Sequence, residues 1–188
     1  MDEDRGVAQP GSAPASGAGG RWFKSSRPDH PFPWQIGVVG AGACPPAVDR
    51  LAEETGERLA RAGAIVVSGG LGGVMEAAAR GAKRGGGLTV GILPGTSHRE
   101  ANPFIDIIVV TGLGHARNAI VARSSHALIA LAGEYGTLSE IALALKMGLP
   151  VIGLASWEEV RGVIAVGSPE EAVKEALAWA ERVHVRSR

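Results

Sequence analysis

Seven short apolar runs recur along the chain: residues 35–42 (QIGVVGAG), 64–69 (AIVVSG), 88–95 (LTVGILPG), 106–112 (DIIVVTG), 126–133 (HALIALAG), 150–156 (PVIGLAS) and 163–168 (VIAVGS). Each is almost continuously apolar rather than alternating, and most end in glycine. Such runs are strands covered on both faces, so the pattern predicts a parallel sheet held between two helix layers. Helical periodicity fills most of the gaps. Pro45 and Pro46 open the first helix, where a missing N–H costs nothing, and Val48, Leu51, Ala52, Thr55, Leu59 and Ala60 form one buried stripe. Glu54 with Arg58 and Glu57 with Arg61 stand four apart on its wet side. The last helix, from Pro169 to about residue 183, turns Val173, Ala176, Leu177 and Ala180 inward. Alternating β and α elements predict an α/β fold: a doubly wound, three-layer, Rossmann-like single domain whose ligand sits beyond the C-terminal strand ends.

The first 33 residues break this rhythm. They are rich in Gly, Pro, Ala and Ser and show no period, which predicts a disordered extension before a domain spanning 34–188. Back-translation sharpens the expectation. Trp22-Phe23-Lys24-Ser25 can be written TGGTTCAAATCC, which contains the T arm of a transfer RNA. Pro14 to Gly19 can encode an anticodon hairpin, and Pro28-Asp29-His30 can hold a terminal CCA. The segment therefore reads as a tRNA gene translated in frame, and no function is assigned to it.

Composition narrows the chemistry. With 188 residues, 45% of them apolar, the chain suits one domain with a real core. Basic and acidic residues both number 19, so no long-range field gathers nucleic acid or anionic membrane. An anion site must then be built locally. One cysteine, Cys44, makes no internal disulfide, and the five histidines have no ligand spacing, so no metal is expected. No apolar run approaches the roughly 18 residues of a membrane span, and Met-Asp-Glu-Asp is unlike a signal-peptide start. These features predict a cytoplasmic protein.

Three glycine-rich stretches fall at the expected strand ends. After the first strand, Gly40 and Gly42 lack the third glycine and the later acid of a dinucleotide fingerprint, since Pro45 and Ser68-Gly69-Gly70 stand in those places. After the second, Ser68, Gly69, Gly70, Gly72, Gly73 and Met75 offer main-chain N–H groups to an anion. No Gly-Lys-Ser/Thr is present, so this is not an ATPase loop. After the fifth, Gly133, Glu134, Tyr135, Gly136 and Thr137 lead to Glu140. Thr137 and Glu140 have capping-box spacing, repeated at Ser156–Glu159 and Ser168–Glu171, and each copy predicts a helix start. The two glycines before Thr137 distinguish the first copy as an anion cradle. Arg117 falls near another helix N-terminus, an awkward place for a cation unless it faces an anion or pairs with Glu140. His115 beside it is a candidate proton carrier or a structural hydrogen bonder.

Assembled, these residues resemble the Rossmann-like family often labelled "lysine decarboxylase", which includes the Lonely Guy cytokinin-nucleotide phosphoribohydrolases and the molybdenum cofactor carrier proteins. The family motif Pro-Gly-Gly-x-Gly-Thr-x-x-Glu stands here as Ala132 to Glu140, and the glycine loop with its methionine as Gly69 to Met75. The resemblance implies catalytic roles for Arg117 and Glu140 if the protein is a hydrolase: Glu140 would stabilise an oxocarbenium-like sugar or activate water, and Arg117 would hold the substrate. The glycine loops would bind phosphate. Nothing supports the decarboxylase label, since no pyridoxal-phosphate lysine context is present. Asn118 replaces the family's lysine, Ala132 its proline and Glu134 its second glycine, departures that weigh against the hydrolase. The leading expectation is a binding or carrier protein for a nucleotide or a phosphate-bearing cofactor such as molybdopterin, with no cofactor required. Alternatives are a nucleoside 5′-monophosphate phosphoribohydrolase and a nucleotide-sensing regulatory module. The apolar run Ile141 to Leu145 predicts a homodimer or homotetramer.

Overall fold

A computed structural model describes residues 32–155 and 157–186. The tRNA-like reading falls on a segment of which residues 1–31 lie outside the described part. All seven expected strands are present, each trimmed by a residue or more: β1 Gln35–Gly40, β2 Ile65–Ser68, β3 Thr89–Leu93, β4 Ile107–Val110, β5 Ala127–Leu131, β6 Val151–Leu154 and β7 Val163–Val166. They form one sheet in the order β4-β3-β2-β1-β5-β6-β7, every pairing parallel. This is a three-layer, Rossmann-like single domain.

Side chains alternate across each strand, so a continuously apolar run feeds two cores at once. Ile36, Val38, Ile129 and Leu131 face helices α1 (Pro46–Arg61), α2 (Val74–Arg84) and α5 (Pro169–Arg186). Val39, Leu128 and Ala130 face α3 (Asn118–Arg123) and α4 (Tyr135–Lys146). Helices α1 and α2 approach at backbone distance: a Cβ on Gly56 would collide with the Ala78 carbonyl, and one on Gly81 with the Glu53 carbonyl. Two helix-interior glycines, costly by propensity, are therefore used for contact.

The three expected capping boxes fare differently. At α5, the Glu171 N–H donates to Ser168 Oγ at 3.2 Å, while the Glu171 carboxylate accepts from the Gly167 N–H rather than from Ser168. After β6 no helix forms over residues 157–162; Trp157 to Val160 make a turn, and Ser156 lies outside the described residues. The third copy is also corrected. Helix α4 starts at Tyr135 with Glu134 as its cap, three residues before the expected cap Thr137, because the Leu138 N–H already reaches the Glu134 carbonyl at 3.0 Å. Thr137 and Glu140 thus lie inside the helix, which leaves the Glu140 carboxylate free for the site. The apolar run of α4 is also largely used: Ile141 and Ala144 are fully buried in the core and Leu145 packs against it.

The chain runs outward from β1 to β4 and then returns to place β5 on the other side of β1. Beyond the C-terminal ends of β1 and β5 the connections diverge, which opens a crevice at this switch point.

Candidate functional site

A cleft of ≈ 400 Å³ occupies that crevice. The loop after β1 contributes Gly40 to Ala43, and the first turns of α4 contribute Glu134, Gly136, Thr137 and Glu140. A 3₁₀ turn over Gly114–Arg117 and the start of α3 bring His115, Arg117 and Asn118; Met75 reaches in from α2. Nine of the candidate residues read from sequence therefore share one cleft: Gly40, Gly42, Met75, His115, Arg117, Glu134, Gly136, Thr137 and Glu140.

The others stand behind or beside it. Ser68 Oγ accepts the Gly70 N–H at 3.2 Å, and Asn102 clamps the same loop through its own N–H to the Gly70 carbonyl (2.9 Å) and its side-chain amide to the Leu71 carbonyl (2.8 Å). Gly73, at φ 62°, rests on Ala41 and Gly42, where a Cβ would collide with their backbone, and the next N–H, of Val74, donates to the Ala41 carbonyl at 3.0 Å. The loop from Ser68 to Gly73, Gly72 included, thus underpins the β1 loop. Gly69 instead makes room for a side chain, since a Cβ there would overlap the guanidinium of Arg117. Tyr135 is exposed on the outside of α4. Asn102 carries no motif, so nothing in the local sequence marks it as the clamp.

The turn from β5 into α4 explains one departure from the family motif. Ala132 and Gly133 have φ of 48° and 107°, and Gly133 is packed onto the Thr137 side chain. Proline is locked near −65° and cannot adopt the Ala132 conformation, so the replacement and the backbone path go together. Asn118 also has a defined partner. Its buried amide donates to Ser139 Oγ at 2.9 Å, and Ser139 in turn donates to the Gly136 carbonyl at 3.0 Å, which ties α3 to α4.

Electrostatically, the cleft is dominated by one buried pair. Arg117 and Glu140 are each 7% exposed, and Nη1 stands 3.4 Å from Oε1. That is a long contact for a charge-assisted hydrogen bond. Among the described residues, Arg117 Nε has no hydrogen-bond partner. Burial lowers the Arg117 pKa against the opposing pull of Glu140. Burial also pushes the Glu140 carboxyl up to about 7, because desolvation outweighs the attraction of Arg117 at this separation. At neutral pH the site therefore holds an under-partnered guanidinium beside a carboxyl poised to gain or lose a proton. Among the described residues, no group of three or more His, Cys, Asp or Glu side chains could hold a metal, and no helix is long and apolar enough to cross a membrane.

The model of the SLOG cluster4 family matches residues 33–183. The chain belongs to that family. A protein of Archaeoglobus fulgidus without assigned function is 49% identical over 144 residues, covering 77% of this chain and 95% of that one. A cytokinin riboside 5′-monophosphate phosphoribohydrolase of Mycobacterium marinum is 34% identical over 121 residues, 62% of this chain and 65% of the relative. Among solved structures, the molybdenum cofactor binding protein of Rippkaea orientalis superposes with a TM-score of 0.75 at 37% identity, covering 79% of this chain and 98% of its own. The molybdenum cofactor carrier protein of Chlamydomonas reinhardtii follows at 0.73 and 35%, with the same coverage. The chain is thus similar both to binding proteins and to hydrolases.

Proposed function

We propose that this protein binds or carries a phosphorylated small molecule, a nucleotide or a pterin cofactor of the molybdopterin type, without turning it over. One observation carries the reading: a buried guanidinium with an unpartnered Nε stands in a ≈ 400 Å³ cleft at the switch point of the sheet. That volume lies within the roughly 300–1,000 Å³ of small-molecule sites. A phosphate oxygen supplies the acceptor that Glu140, at 3.4 Å and close to neutrality, supplies poorly. Main-chain N–H groups of the β1 loop add donors without adding charge. The similarity to molybdenum cofactor binding and carrier proteins supports a cargo of this size and charge. A cytoplasmic location and a homo-oligomeric state belong to the same reading; a single cysteine supports the first, and exposed Ile107 and Val109 on the edge strand support the second.

A second reading has its own observation. A carboxyl with a pKa of about 7 inside the cleft is suited to general acid–base work, as hydrolysis of a nucleoside monophosphate requires. Two features weigh against it: Asn118 supplies no second cation and is bound to Ser139, and the Glu134 carboxylate adds negative charge to the cleft. Incubation with a panel of nucleoside 5′-monophosphates decides between them. Binding without release of free base is expected; catalytic release that Glu140→Gln abolishes would establish the hydrolase instead.

A further inference from the structure

Glu134 caps α4 with its carbonyl, which accepts from the Leu138 N–H, but not with its side chain. Its backbone is extended (φ −116°, ψ −152°) and its side chain makes no capping hydrogen bond. The residue is exposed and lines the cleft. Among the described residues it makes no ion pair. An acceptor-only group is thus open to the occupant of the cleft, whose lining it shares with Glu140.

The charge of this group constrains how a phosphorylated ligand can lie. A carboxylate beside the first turn of α4 opposes a phosphate there, and more strongly in a partly enclosed cleft than in open water. The phosphate is better placed against Arg117 and the β1 loop. Glu134 then faces the remainder of the ligand, and what suits it is a pair of donors. Two carboxylate oxygens accept two parallel N–H groups, an arrangement found where a ring N–H adjoins an exocyclic amine. The 2-amino-4-oxopyrimidine ring common to guanine and pterins has that edge. Adenine offers one donor next to a ring lone pair, which a carboxylate oxygen repels.

We propose that Glu134 is a specificity-determining residue that pairs with the amino-oxo edge of the bound heterocycle, so that the cleft selects guanine- or pterin-type rings over adenine-type rings. The inference rests on the reading of the cleft as the seat of a phosphorylated heterocycle. The probes are GMP, IMP, AMP and inorganic phosphate, titrated calorimetrically into the full chain and into Glu134→Gln, which keeps the size of the side chain and removes its charge. The wild type is expected to bind GMP about tenfold or more tighter than AMP, the range of one charge-assisted hydrogen bond, with IMP between them. In Glu134→Gln the GMP preference collapses to about threefold or less, while inorganic phosphate binds more tightly than to the wild type. A wild type that treats GMP and AMP alike, or a preference that survives the substitution, overturns the assignment and leaves the phosphate reading standing. Failure of the wild type to bind any of the four probes overturns both.

Discussion

Arg117 Nη1 and Glu140 Oε1 face each other across 3.4 Å inside the cleft, on side chains that are both more than nine-tenths buried. The pair joins the turn before α3 to the second turn of α4, and burial rather than partnership sets the protonation of its acid. With its pKa raised from 4.5 to about 7, Glu140 is favoured by the fold in its protonated form. Its contribution to stability is therefore fully present below about pH 4.5 and is lost as pH rises through 7. The shift bounds the loss at about 3 kcal/mol. Glu140→Gln imitates the protonated state, so its melting temperature should exceed that of the wild type at pH 8 and approach it near pH 4. Thermal unfolding across that interval checks this; parallel curves for the two proteins would show that the carboxyl is not shifted.

Gly69 offers a way to move Arg117 without touching it. A methyl group there would overlap the guanidinium, the far end of a flexible side chain, so the fold should yield at small cost. Gly69→Ala is expected to retain its melting temperature within about 2 °C and to lose at least tenfold in affinity for inorganic phosphate or a nucleoside monophosphate. Unchanged binding would mean that the position of Arg117 is not what holds the anion.

The α1–α2 contact predicts the opposite separation. Gly81→Ala drives a Cβ into the Glu53 carbonyl, a backbone atom that cannot turn aside. Overpacking of this kind costs about 1–3 kcal/mol, which lowers Tm by roughly 2–12 °C in a domain of this size. Because neither Gly81 nor Glu53 lines the cleft, ligand affinity below the transition should be unchanged. An alanine variant as stable as the wild type would mean that the two helices part without penalty.

Ile107 and Val109 project from the same face of edge strand β4, beside Val90 and Ile92 of β3, and are 49% and 40% exposed. Adjacent β-branched residues left open on a sheet edge favour self-association. Sedimentation at micromolar concentration is expected to give a dimer or larger species, and Ile107→Lys with Val109→Lys to give a folded monomer. A monomeric wild type would exclude this surface as the interface.

Much of the architecture was legible because continuous apolar runs have few other physical uses in a chain of this length. All seven strands, the layering and the location of the crevice follow from that pattern and from glycines at the strand ends. The pairing of Arg117 with Glu140, raised from helix-terminus electrostatics, also appears in the fold. Local pattern misjudged the start of α4, where the capping-box spacing suggested Thr137 but the turn at Ala132 and Gly133 begins the helix at Tyr135.

What the sequence by itself determined is therefore the seven strands, most of the helices and the end of the sheet at which chemistry gathers, since all of these depend on short-range periodicity. Tertiary structure alone decided which glycines line the cleft and which support it, that Gly69 makes room for Arg117, that Asn102 clamps the second loop, and that Glu140 titrates near neutrality. Those properties arise from contacts between segments distant in the chain or from exclusion of water, and neither leaves a periodic trace in the sequence.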